Sequence, residues 1–325
     1  MLRFFQNKNP LMFLFYVAIS IIIVLDVPID VIDNITNSRH AFLYNQILFL
    51  IKGDYFVIFY RIILAALLLI NAIIYNKLIV SIKLLKVNNY FSGFTFLILI
   101  GFALIKVDCL AVLFSSALII LAIKIIFNTL RKGIAIFEYL NVGLLFSIAF
   151  LFWETTLYFF ILIFISILIL RIQNWREWLV SLIGLFLPIF ITSSIYFFIY
   201  SDFDIIFDTY QLLFFKKVGT QISYYELVVL IFVLLLSLTS SFKILSRFNS
   251  IETNNQDYYK IFSFLFLISV LVSFLIPSNI YNNYVFAIIP LNIVFSTFFI
   301  SLKNKIIPEI LFNLFLISSV YLYLT

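Results

Sequence analysis

The chain is a succession of apolar stretches, each about long enough to cross hydrocarbon, separated by short breaks that hold nearly all of its charge. A spanning helix needs roughly 20 mostly apolar residues, with a working range of about 17–25. Such stretches fall at about 11–25, 55–75, 90–105, 109–128, 136–152, 155–170, 178–200, 225–242, 261–276, 281–301 and 309–324. The expected fold is therefore all-α: a polytopic transmembrane helical bundle of about eleven spans, forming a single integral membrane domain over residues 1–325. A soluble fold is excluded by the same pattern, because only 11% of the residues are charged against about 25% in soluble domains. The first stretch sits too deep in a polytopic chain, and lacks the small-residue cleavage site, to read as a removed signal peptide.

Orientation follows from where the bases lie. With the N-terminus inside, Arg3, Lys8, Lys77, Lys83, Lys86, Arg131, Lys132, Arg171, Arg176, Lys243, Arg247, Lys260, Lys303 and Lys305 are cytoplasmic, whereas Arg39, Lys52, Lys106, Lys216 and Lys217 are outside. This places the N-terminus in the cytoplasm and the C-terminus on the opposite, outer side. Acids segregate the other way: Asp26, Asp30, Asp33, Asp54, Asp108, Glu154, Asp202, Asp204, Asp208 and Glu226 lie outside. The outer face is thus the expected working face. The net charge of +6 reads as loop topology, and no nucleic-acid partner is expected.

Loops carry some structure of their own. Residues 41–51, in the first outer loop, suit a helix lying in the interface, and residues 78–85 look interfacial on the inner side. Residues 248–258 read as a solvated linker. One cysteine, Cys109, and one histidine, His40, exclude an intrachain disulfide, a thiolate-imidazole metal cluster and a bis-histidine haem site.

Candidate chemistry therefore rests on few residues. Asp26, Asp30 and Asp33, at spacings of four and three, share one face if helical, which suits a general base or a divalent cation held by carboxylates. The alternative is a solvated helix terminus. His40 follows Arg39 in the same loop, Asp108 lies in a tight outer turn, and Glu154 follows Trp153 at the outer end of the fifth span, where an acid commonly just marks the boundary. Arg61 and Lys124 are charges within spans; Arg61 is the better candidate for an anionic headgroup or phosphate. Asn71, Asn141, Asn292 and Asn313 are expected to tie helices together. Arg171-Ile-Gln-Asn-Trp-Arg-Glu-Trp178 reads as a cytoplasmic interfacial belt, with Arg176 and Glu177 in local salt bridges.

Two resemblances follow. The Met-Leu-Arg-Phe-Phe start with Asn-Pro before the first span, the Gly-Leu-Leu-Phe-Ser-Ile-Ala segment at 143–149, and Arg-x-x-x-Trp-Arg-Glu-Trp followed by Gly184 and Pro188 resemble an uncharacterised Bacteroidota family of multi-pass inner-membrane proteins. More weakly, the outer acids and the late aromatic span Tyr284-Val-Phe-Ala-Ile-Ile-Pro290 resemble the membrane scaffold of class C glycosyltransferases, which use polyprenyl-phosphate sugars. That resemblance implies a catalytic acid among Asp26, Asp30 and Asp33, a second at Asp108, and substrate contacts from Arg61, His40, Glu154 and Tyr284. The chain departs from the pattern in having no Asp-Asp or Glu-Asp pair and no arginine at 277–283. The competing expectation is a non-catalytic scaffold that binds other envelope proteins and membrane lipids, and the third is a small-solute transporter.

Overall fold

A computed structural model describes residues 11–25, 56–82, 90–104, 109–130, 134–170, 174–200, 253–275 and 280–301. Among these residues every regular element is helical. The order is α1 (Leu11–Leu25), α2 (Phe56–Ser81), α3 (Phe91–Leu104), α4 (Cys109–Thr129), α5 (Ile136–Phe152), a 3-10 helix (Glu154–Phe160), α6 (Ile161–Ile169), α7 (Trp175–Tyr200), α8 (Thr253–Leu275) and α9 (Ile280–Ser301). Three of them, Phe56–Ser81, Leu110–Thr129 and Trp175–Phe198, are long and apolar enough to cross a membrane, as expected of a membrane protein. The others are shorter apolar helices or, in α8, open on a polar first turn.

Contacts between helices fix their relative directions. We call the end holding the α5 to 3-10 turn the tip and the opposite end the base. At the base, Tyr16 of α1 meets Tyr90 just before α3, Phe127 of α4 packs on Tyr258 and Phe262 of α8, and Phe91 of α3 meets Phe299 of α9. Towards the tip, Phe114 of α4 lies 4.1 Å from Phe152 of α5, and Phe159 of the 3-10 helix lies 5.0 Å from Phe286 of α9. Hence α1, α3, α5, α7 and α8 run towards the tip, while α2, α4, α6 and α9 run back. Described helices joined by a short connection thus run in opposite directions, as successive spans are expected to. Between Tyr200 and Thr253 the described chain leaves at the tip and returns at the base.

Burying apolar side chains against apolar lipid drives little, so helix association in such a bundle depends on close packing and interhelical hydrogen bonds. Both are present. Gly143 of α5 and Gly184 of α7 face each other where these parallel helices cross; a Cβ on Gly143 would lie 2.3 Å from the Ser181 carbonyl, and one on Gly184 2.5 Å from the Leu140 carbonyl. The two glycines, far apart in the sequence, are therefore one contact. Pro188 lies four residues beyond Gly184 inside α7 and has no N–H to return to the Gly184 carbonyl.

Amides act as expected at two positions. Asn71 donates to the Leu113 carbonyl across to α4 and accepts from Ser116, and Asn292 of α9 donates to the Ser92 carbonyl of α3. Tyr75 adds a hydroxyl bond to the Ile289 carbonyl while its ring stacks on Phe96 at 4.5 Å. Asn141, by contrast, is exposed, and Asn313 lies outside the described residues.

Three expectations are corrected. Residues 78–81 continue α2, with Leu78 and Ile79 fully buried, instead of opening a separate interfacial segment. Residues 253–258 belong to α8 and not to a linker: Asp257 pairs with Lys260 at 2.8 Å, and Tyr258 is buried against Phe127, so the helix gains support before its apolar part starts. Glu177 is buried and its Oε1 accepts the Ala135 N–H at 2.9 Å, satisfying a donor at the start of α5, while Arg176 is exposed beside the Trp175 ring. The belt motif thus joins α7 to α5.

Candidate functional site at the tip of the bundle

The α5 to 3-10 connection is a one-residue hairpin. Trp153 takes an extended conformation (φ −145°, ψ 111°), ending α5, and its carbonyl accepts from both the backbone and the hydroxyl of Thr156. The chain then returns along α5, so that Phe160 meets Phe146. A hairpin tip at a membrane boundary ordinarily meets water. Here Trp153 is 2% exposed, Glu154 1%, and Thr155 and Thr156 0%. The reading of Glu154 as a surface boundary marker is therefore replaced by a buried carboxyl group at the tip.

Three of the expected site residues are described, and all three lie at the tip end on different elements. Arg61 is in the second turn of α2, half-buried, with fully buried Tyr60 beside it. Glu154 opens the 3-10 helix. Tyr284 is in the first turns of α9, partly exposed and packed against the core. Asp26, Asp30, Asp33, His40 and Asp108 lie outside the described residues, although the helices that adjoin Asp26 and Asp108 in sequence, α1 and α4, finish and begin at this end. Among the described residues no three His, Cys, Asp or Glu side chains stand together as metal ligands.

Other tip residues were not expected. Trp153 Nε1, Thr155 Oγ1 and both amide atoms of Asn283 are buried with no hydrogen-bond partner among the described residues. Phe286, one turn along α9 from Asn283, touches Phe159, four residues after Thr155. Both helices run away from the tip, so Asn283 and Thr155 lie beyond that aromatic contact by about 4.5 Å and 8 Å respectively, from the rises of the two helix types. Each unpartnered buried polar group costs about 1–3 kcal/mol. Evolution commonly accepts such costs where a ligand or water completes the bonds. The signal available in the sequence was Glu-Thr-Thr at 154–156 directly after an apolar run, and Asn-Asn at 282–283 directly before one.

Among the described residues, α7 also exposes an apolar side. Leu179, Leu182, Ile183, Phe186, Leu187 and Phe190 of α7 border a shallow groove of about 460 Å³, the side of that helix turned away from α5 and suited to lipid chains. Compared with protein-family models, curated proteins and solved structures, the chain matches none.

Proposed function

We propose that this is an inner-membrane enzyme resembling class C glycosyltransferases, acting on a lipid-linked sugar at the tip end, which faces the periplasm. The observation that carries the reading is the burial of Glu154, Thr155, Trp153 and Asn283 at one end of an otherwise apolar bundle. Arg61, also at that end, suits a lipid phosphate, and a carboxylate among Asp26, Asp30 and Asp33 suits the base that activates an acceptor hydroxyl. In this reading the chain has eleven spans: the nine crossings made by the described helices, with the 3-10 helix and α6 as one, plus the stretches at 225–242 and 309–324. A single crossing at 225–242 is the simplest way to return the chain from the tip at Tyr200 to the base at Thr253.

The test is to replace Asp26, Asp30, Asp33 and Glu154 singly by Asn, Asn, Asn and Gln and compare cell-surface glycans. Loss or truncation of a glycan in at least one variant that still reaches the membrane supports the reading. Unchanged glycans in all four refute it and favour a scaffold.

A further inference from the structure

Hydroxyl groups buried in this bundle mostly satisfy themselves. Ser115, Ser116, Thr129, Ser166, Ser181, Ser269 and Ser296 each donate back to a carbonyl of their own helix. Thr155 does not, although it is fully buried. Glu177 and Asn292 each have one idle polar atom but are held by the other. Trp153, Thr155 and Asn283, three buried side chains on which no polar atom is engaged among the described residues, are all at the tip, and Ser147 is a fourth, two turns down α5.

Their chemistry is informative because it is mixed and neutral. An indole N–H only donates, a threonine hydroxyl donates and accepts, and an amide offers an acceptor with two donors. A phosphate would use donors alone, a cation acceptors alone, and an acyl chain none of them. The vicinal hydroxyls of a sugar ring use both. The Phe159–Phe286 contact, on the same two helices as Thr155 and Asn283, makes the surroundings of these groups apolar. We infer that Trp153, Thr155 and Asn283 bind the hydroxyl-bearing ring of a glycoside between the α5 hairpin tip and the start of α9. This rests on the lipid-linked sugar reading for its source, and the ring is that of either the donor lipid or the acceptor.

The chain has three tryptophans, so W175F/W178F leaves Trp153 as the sole reporter. In this background the full chain in lipid nanodiscs is titrated with farnesyl phosphate, with farnesyl phosphoryl mannose, and with octyl glucoside below its micellar concentration. The inference expects saturable change of Trp153 emission with both sugar-bearing probes, and about tenfold or tighter binding of the mannosyl probe than of farnesyl phosphate. Adding T155V/N283L should abolish that sugar increment, leave farnesyl phosphate binding intact and leave the thermal midpoint unchanged or raised, because it removes unpartnered polar atoms. A merely structural role predicts a lowered midpoint and no selective loss. Should T155V/N283L not fold, W153F alone, read by ligand-induced thermal shift, must lose the sugar increment.

The outcomes separate the two ideas. Octyl glucoside binding without farnesyl phosphate binding keeps the sugar site as one for an acceptor and sinks the lipid-phosphate reading. Farnesyl phosphate binding to which mannose adds nothing overturns the sugar site and keeps that reading. If no probe binds, both fall.

Discussion

Alanine at Gly143 or Gly184 tests how α7 is held. A Cβ at 143 would lie 2.3 Å from the Ser181 carbonyl and one at 184 would lie 2.5 Å from the Leu140 carbonyl; both obstacles are backbone and cannot rotate away. Ordinary contact begins near 3.4 Å, so the two helices must part by about an ångström at the crossing. Overpacking of this kind costs about 1–3 kcal/mol. The same parting accommodates either Cβ, because Gly143 and Gly184 sit against each other. Hence G143A and G184A should each destabilise by that amount, and G143A/G184A should cost clearly less than their sum, a coupling that distant sites do not show. The assay is a thermal unfolding series of the four proteins in one detergent, all in a W153F/W175F background, so that emission from Trp178, stacked on Phe164 at 5.1 Å, reports whether α6 and α7 separate first. Full additivity, or midpoints equal to that of the parent, would refute a direct Gly143 to Gly184 contact.

Other consequences are as direct. Glu177→Ala should destabilise by about 1–3 kcal/mol through the stranded Ala135 N–H, with Glu177→Gln recovering most of the loss because it keeps the accepting oxygen, as read by the same thermal series. Asn71→Leu should cost about 1–2 kcal/mol, since it removes both the bond to the Leu113 carbonyl and the acceptor for Ser116; a midpoint no lower than that of the parent would show the tie to be dispensable. For orientation, in a C109S background a cysteine at Lys77 should resist a membrane-impermeant maleimide in spheroplasts and one at Lys106 should react, and the opposite pattern would invert the bundle.

Apolar span length and polar breaks made most of the described helices legible: α1, α5 and the break at 153 fall where the sequence places them, because hydrocarbon leaves the backbone little choice but helix. Boundaries were less legible where polar residues continued a helix, at the end of α2 and the start of α8. There the stabilising partners, Asn76 with Ser92 and Tyr258 with Phe127, come from other helices. Within the site, charge drew attention to Arg61 and Glu154, whereas Trp153, Thr155 and Asn283 offered only the weak signal of polar residues at a span end, since a neutral side chain there is ordinarily wetted.

What the sequence determined by itself is the solvent and the style of the fold: a chain 65% hydrophobic with nearly all of its charge between apolar stretches must be a helical membrane protein. Charge alternation also led to the expectation that successive spans reverse direction, as the described helices joined by short connections do. Only the tertiary structure decided which helices touch and which polar groups are sealed from water. Burial is a property of neighbours distant in the chain, so Glu154 could be recognised as a boundary acid from its own surroundings in sequence but as a buried one only after α5, the 3-10 helix and α9 had been brought together.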